Sequence, residues 1–281
     1  MPLLWCQFLG EIHKLFARKR TWIGFGVFLT VELLVLALLQ LPKVQRTFRR
    51  WIEQAGYGFE DYFSGLTLAQ QMVGWTIFFL GALYLSLVAG DVVAKEVEDG
   101  TMRMVLCRPV SRVRLLLIKY LACIVYTGAL VLFIGVSALL AGFAWRGFGG
   151  LFVIQPVEGI FELYDFWPGL ARYLLGLPLL ALSLLTVTSL GFFFSCGRMK
   201  PAAATIATLS VFFIDLIFRG IPYFETLRPW FLTARMAAWL NIFRSYPPYP
   251  AMIEDYAFLM GINFTLVVMG IAMFQARDLK S

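Results

Sequence analysis

The chain of 281 residues is far more apolar than a soluble protein: 60% of its residues are hydrophobic, 15% are charged, and the mean hydropathy is +0.78. This excludes a soluble enzyme, in which about a quarter of residues are charged, and a disordered chain. Continuous apolar runs exclude an outer-membrane β-barrel, whose strands alternate. The composition predicts an all-α integral membrane protein. Its net charge of +7 is of the kind that sets membrane topology, and no nucleic-acid partner is expected.

The N-terminal segment 1–21 is predicted to contain an amphipathic elbow helix over residues 3–19. At 100° per residue, seven apolar side chains share one face: Leu4, Trp5, Phe8, Leu9, Ile12, Leu15 and Phe16. Polar residues, including Glu11 and Lys14, occupy the other face. Such a helix lies in the headgroup plane. It is either a simple anchor or an elbow that positions the first span beside a cytosolic partner. His13 is the only histidine, so a multi-histidine metal site within one chain is excluded, and no metal ligand is predicted.

Six stretches are long and apolar enough to cross a bilayer. They are residues 22–41, 71–89, 118–144, 170–195, 201–218 and 257–274. If the N-terminus is cytoplasmic, the inside segments are 1–21, 90–119, 196–200 and 275–281. These segments hold more than half of the Lys and Arg residues in less than a quarter of the chain. The sequence therefore predicts a single transmembrane domain, 1–281, with both termini in the cytoplasm.

Two outer segments have patterns of their own. In the first outer loop, Val44, Phe48 and Ile52 fall on one helical face, and basic residues fall on the other, which predicts a short interfacial helix. The last outer loop, 219–256, is rich in Trp, Tyr and Pro. It is interpreted as an aromatic belt at the membrane interface, with a short interfacial or re-entrant helix at 231–243.

The inside loop between the second and third spans, 90–117, carries helix start and stop residues. The helix leaving the second span is predicted to stop at Gly100. Thr101 then caps a short helix, 102–107, that Pro109 ends, and Ser111 caps the third span. The resulting surface unit is expected to expose Glu96, Glu98, Asp99 and Arg103 to the cytosol. An ordinary charged loop remains the alternative.

This loop resembles the signature of ABC-type-2 permeases. The sequence Glu-Val-Glu-Asp-Gly-Thr-Met-Arg-Met-Val-Leu-Cys-Arg-Pro-Val-Ser-Arg, at 96–112, is followed by Lys119. It is similar to that family's pattern of an acidic residue, Gly-Thr, Leu, Pro and Arg, with a Lys opening the next span. The amphipathic N-terminus and the ending Phe-Gln-Ala-Arg-Asp at 274–278 agree with the family.

The resemblance implies a six-span permease subunit of an ATP-driven exporter in the bacterial cytoplasmic membrane. Its coupling helix docks on a soluble ATPase subunit, and its partner in the membrane is a second copy or a paralogue. The implied contact region is listed here in full: Glu96, Glu98, Asp99, Gly100, Thr101, Arg103, Arg108, Pro109 and Arg112. The sequence has no phosphate-binding loop, so ATP and Mg²⁺ are expected on the partner, with no catalytic residue and no cofactor on this chain.

Two acids lie inside predicted spans, where such residues usually face a bundle interior or a cavity. Glu32 is expected to be protonated or bonded to a neighbouring helix, at the dimer interface or the translocation path. Asp215 is a second candidate for that path, and an ion pair with Arg219, four residues on, is the favoured interpretation.

Three classes of function remain after these exclusions. A transporter subunit is the first, and its variant is a mechanotransmitting subunit that acts on a periplasmic or membrane partner without moving cargo. An intramembrane enzyme needs paired acids, a Ser/Lys pair or His clusters at membrane depth, which the sequence does not offer. A passive channel or scaffold is the third, although no selectivity filter is visible.

Overall fold

The computed structural model describes residues 2–102 and 111–276. Within them the labelled helices are α1 (Pro2–Ala17), α2 (Lys19–Leu39), α3 (Pro42–Gln54), α4 (Phe59–Tyr62), α5 (Gly65–Thr76), α6 (Ala82–Glu98), α7 (Arg112–Arg146), α8 (Phe166–Cys196), α9 (Pro201–Gly220), α10 (Leu232–Met236) and α11 (Tyr249–Gln275). Two strands, β1 (Leu151–Gln155) and β2 (Ile160–Tyr164), form an antiparallel hairpin.

Among the described residues, five helices are long and apolar enough to cross a membrane: α2, α7, α8, α9 and α11. The remaining predicted span, 71–89, lies in α5, a π-helical turn at Ile77–Gly81, and α6. These three segments follow one another without a break, because the residues at each junction keep right-handed helical dihedral angles. The chain is therefore an α-helical, multi-pass membrane protein.

The helices run between two ends of one bundle. The end that carries α1, the last turn of α6 and the first turns of α7 is called the α1 end. The other end carries the β-hairpin and is called the hairpin end. Contacts place both ends of α8, because Gly169 packs on Leu151 of the hairpin and Ser195 bonds to α6 near its end.

Glycines allow close helix packing in two regions of the bundle. A Cβ atom added at Gly142 of α7 would lie 2.2 Å from the carbonyl oxygen of Gly65 of α5. Near the α1 end, an added Cβ at Gly90 would lie 2.9 Å from Thr205 Oγ1, and one at Gly191 would lie 2.8 Å from Ala89 Cβ. Small residues let helix backbones approach closely in membranes, where packing drives association. The contacts at Gly90 and Gly191 hold α6, α8 and α9 together beside the α1 end.

The hairpin end has a folded layer that the sequence did not predict. Strands β1 and β2 pair from Leu151 opposite Tyr164 to Gln155 opposite Ile160. Helix α3 is amphipathic, as predicted, and packs Phe48 against Phe63 and Phe152 at ring distances of 5.4 and 6.0 Å. The predicted interfacial helix is therefore anchored on a small aromatic core.

The segment 219–256, predicted as the last outer loop, is compact. A 3₁₀ stretch at Pro222–Trp230 is followed by α10 and by a second 3₁₀ stretch, Ala237–Phe243. The helix predicted over 231–243 is thus divided between α10 and this second stretch. Trp239 and Phe243 are buried, and Phe243 packs beside Gly176 of α8. The segment closes over the bundle instead of projecting from it.

Candidate functional site

A buried cluster of charges joins three elements at the α1 end. Lys119, on α7, is only 1% exposed, and its Nζ lies 2.7 Å from Glu96 Oε1 of α6 and 2.8 Å from Glu11 Oε2 of α1. A buried charge is costly unless it is paired. Lys119 therefore holds α1 and the end of α6 against α7, and α1 is tied to the bundle by more than its apolar face.

Lys14 completes this cluster from the solvent side. Its Nζ lies 2.7 Å from Glu11 Oε1 and 3.5 Å from Glu96 Oε1. Burial alone would raise the pKa of Glu11, but the charges and hydrogen bonds of Lys119 and Lys14 outweigh it, so this pKa lies below its ordinary value. We call Glu11, Lys14, Glu96 and Lys119 the charge cluster.

The backbone beside the cluster has the predicted helix stop and start. Helix α6 ends at Glu98, and Gly100 follows with a φ of +71°, a conformation that favours glycine. The Thr101 hydroxyl donates to the carbonyl of Glu96 over 3.2 Å. The Ser111 hydroxyl accepts from the Arg114 amide over 3.3 Å and caps α7. The predictions for Gly100 and Ser111 are confirmed.

The predicted contact residues differ in how exposed they are. Glu98 and Asp99 are exposed, as expected. The expectation that Glu96 is exposed was wrong, because its carboxylate turns inward to Lys119. Arg112 is partly buried in the first turn of α7. The remaining predicted positions, Arg103, Arg108, Pro109 and most of the helix 102–107, lie outside the described residues.

A second set of contacts ties the start of α2 to α6. Arg20 forms an ion pair with Asp91, whose side chain is 6% exposed. The Tyr84 hydroxyl lies 3.2 Å from the carbonyl oxygens of both Arg20 and Thr21, where it can donate to either, and it accepts from Tyr126 of α7 over 3.0 Å. The junction between α1 and α2 is therefore held on α6 and α7.

The short segment 197–200 is joined to the same region. Ser195 is fully buried just before it, and its Oγ accepts from the amides of Val93 and Ala94 over 3.0 and 2.9 Å. Two hydrogen bonds from amides of one helix to a side-chain oxygen of another hold the two helices close together. The end of α8 is thus bonded directly to α6.

Comparison with known proteins agrees with this architecture. The model of a family described as ABC-2 family transporter protein matches residues 11–279. The chain belongs to this family. It is therefore an ABC transporter permease, and we refer to it by that name below.

A match to a single protein covers much less of the permease. The permease is 31% identical over 71 residues to YhcI, an uncharacterised protein of Bacillus subtilis (strain 168). The match covers 25% of the permease and 23% of the relative's length. It supplies no substrate.

The two acids within the spans of the permease have partners on other elements. Glu32 of α2 is 1% exposed, and its Oε2 accepts from the Ser137 hydroxyl of α7 over 2.6 Å. The predicted bond to a neighbouring helix is thus confirmed, and a role in the translocation path or dimer interface stays a prediction. Ser137 was not foreseen as the partner, since the pairing joins residues 105 positions apart.

The expected ion pair between Asp215 and Arg219 was wrong. The Asp215 carboxylate accepts from the amides of Leu232 and Thr233 over 3.0 and 2.7 Å and caps α10. Arg219 pairs with Glu158 and donates to the Thr233 carbonyl over 2.7 Å. The fold of segment 219–256 brings unpaired amides of α10 to the acid, and these outcompete the local pair.

Proposed function

We propose that the permease is the membrane subunit of an ATP-driven exporter and that a separate soluble ATPase docks at its α1 end. The docking surface includes Glu98, Asp99 and Thr101 and continues through the segment that leads to Arg112. The permease lies in a bacterial inner membrane, with its α1 end facing the cytoplasm. ATP and Mg²⁺ are bound by the partner, and two permease chains, identical or paralogous, work with two ATPases.

The observation that carries this proposal is the position of Lys119 between Glu11 and Glu96. Its contacts join the helix before the docking segment, the helix after it and α1 into one unit. Exposed Glu98 and Asp99 follow Glu96 directly, so a partner that moves them also pulls on α6. A displacement of the docked segment is therefore delivered to spanning helices instead of being lost in a flexible loop.

Six membrane crossings complete the proposal. The helical path from Gly65 to Glu98 runs from the hairpin end, where the Ser64 hydroxyl donates to Gly150, to the charge cluster at the α1 end. It therefore traverses the bundle as the five candidate spans do. With this sixth crossing, the chain begins and ends on the same side of the membrane, as the excess of Lys and Arg in the inside segments favours.

Co-purification tests the proposal. A tagged chain in mild detergent is expected to retain an ATPase with a phosphate-binding loop, identified by mass spectrometry. Glu98→Arg/Asp99→Arg should lose this ATPase while keeping the elution profile of the folded permease. The matched control is Glu53→Arg/Glu225→Arg, which places the same charge change on exposed residues of the hairpin end. Docking at the α1 end would be contradicted if only the control lost the ATPase, or if both variants retained it.

The mechanotransmission variant differs in what ATP-driven motion achieves. At the hairpin end, α3 and the hairpin share an aromatic core. This folded layer could therefore move as one unit and transmit ATP-driven motion to a partner. Under this alternative, ATP hydrolysis should depend on a second membrane or periplasmic protein. No candidate cargo should cross the membrane. Cargo accumulation in inverted vesicles with ATP would instead support export.

A further inference from the structure

One face of α3 carries four exposed basic side chains: Lys43, Arg46, Arg49 and Arg50. We call them the basic face. The opposite side of the helix buries Phe48 and Ile52 against the hairpin layer. Successive residues turn by about 100° around a helix, so the basic face points away from the protein. The sequence from 42 to 52 contains no acidic residue.

Helix α3 lies beside the ends of two candidate spans, α2 and α7, where lipid headgroups are expected. Helix α3 begins at Pro42, three positions after the spanning helix α2 ends at Leu39. Glu60 lies between α3 and the end of α7, because its carboxylate oxygens are 3.9 Å from Arg49 Nη2 and 3.1 Å from Arg146 Nη1. Trp145, beside Arg146, is 62% exposed, and exposed tryptophans at span ends favour the membrane interface.

Local contacts also hold part of the basic face in place. The Arg49 guanidinium lies 4.7 Å from the centre of the Phe59 ring, and Phe59 stacks on Phe63 at 4.8 Å. A guanidinium over an aromatic face is attracted by the ring. The helix is thus fixed on its apolar side, and its cations point outward. Among the described residues, the long contact of Arg49 with Glu60 is the one ion pair that these cations form.

We propose that the basic face of α3 binds the phosphate groups of anionic lipids in the leaflet at the hairpin end. Clusters of Lys and Arg beside a span are attracted to anionic headgroups, and guanidinium groups match phosphate geometry. Topology does not explain these residues, because they oppose the charge bias that places the α1 end inside. The proposal depends on membrane insertion of α2 and is independent of an ATPase at the α1 end.

Lipid-dependent thermal unfolding of the purified full chain tests the proposal. In a neutral detergent, phosphatidylglycerol is expected to raise the unfolding temperature more than phosphatidylcholine does. Lys43→Gln/Arg46→Gln/Arg50→Gln should lose this preference, with an apparent affinity for phosphatidylglycerol about a hundredfold weaker, since each of the three cations contributes about fivefold. Arg49 is kept because its contacts with Phe59 and Glu60 stabilise the fold.

Single variants provide a matched pair that preserves folding. Arg46→Gln should weaken the response to phosphatidylglycerol about fivefold, and Arg228→Gln, which removes an exposed arginine elsewhere at the hairpin end, should leave it unchanged. A triple variant that responds like the wild type would overturn the proposal. An equal effect of inorganic phosphate at the same concentration would also overturn it, because the surface would then bind free anions and not lipid.

Discussion

Lys119 Nζ and Glu96 Oε1 lie 2.7 Å apart, although 23 positions separate the two residues in the sequence. They flank the segment that the permease is proposed to present to an ATPase. Glu11 of α1 shares the same lysine at 2.8 Å. The N-terminal helix and both flanks of the docking segment therefore meet at one buried cation, and changes at that cation are expected to affect stability and coupling together.

Loss of the central cation should destabilise the permease strongly. Lys119→Met leaves two mostly buried carboxylates with only the half-exposed Lys14 as partner, which is expected to cost about 3 kcal/mol. Lys14→Met removes a cation at the solvent side and should cost less than about 1 kcal/mol. Denaturant unfolding in detergent measures both. Equal costs for the two variants would show that burial of Lys119 does not matter.

The charge cluster should weaken in acid. The pKa of Glu11 lies below its ordinary value of 4.5. Its ionised form therefore contributes stability above about pH 4.5, and this stability is lost as the pH falls through the lower folded-state pKa. The unfolding temperature of the wild type should exceed that of Glu11→Gln at pH 7 and approach it near pH 3. A gap between the two proteins that stays constant over this range would contradict the account.

Ser195 should link the end of α8 to α6. Ser195→Ala removes the oxygen that accepts from the amides of Val93 and Ala94 and is expected to cost about 1 kcal/mol, the net contribution of a buried hydrogen bond. Hydrogen exchange should increase at these two amides. Thr30→Ala is the control, since the Thr30 hydroxyl bonds within its own exposed turn. Unchanged exchange at both amides in Ser195→Ala would refute the link.

The contact between α5 and α7 should require glycine. Gly142→Ala places a methyl group 2.2 Å from the Gly65 carbonyl oxygen and is expected to destabilise the permease by about 2 kcal/mol. Gly128, on the same helix, has open space around an added Cβ, so Gly128→Ala should be neutral or slightly stabilising. Thermal unfolding of the two variants compares them, and similar midpoints would contradict the close crossing.

Local features of the permease were predictable because they depend on neighbouring residues. The apolar spacing of residues 3–19 and 44–55 predicted α1 and α3, and Gly100 and Ser111 predicted the end of α6 and the start of α7. Five of the six predicted spans, those in α2, α7, α8, α9 and α11, followed from apolar length among the described residues. The family resemblance on residues 96–119 agreed with the family that matches the chain.

Partners distant in sequence were not predictable. Glu96 carries no local sign that it faces Lys119, and Asp215 has a suitable cation four residues away that it does not use. Both outcomes depend on how separate helices pack. The β-hairpin was missed since its strands are five residues each and resemble the apolar ends of spans. The turn glycine, Gly159, was the one local clue.

Site-specific photo-crosslinking tests the docking site most directly. A photoreactive amino acid in place of Asp99 is expected to capture a soluble ATPase in intact cells, identified by its phosphate-binding loop. The same amino acid in place of Glu53, exposed at the hairpin end, should not capture it. Capture of the ATPase from position 53 and not from position 99 would contradict the account, as would its absence from position 99 in cells that produce the folded permease.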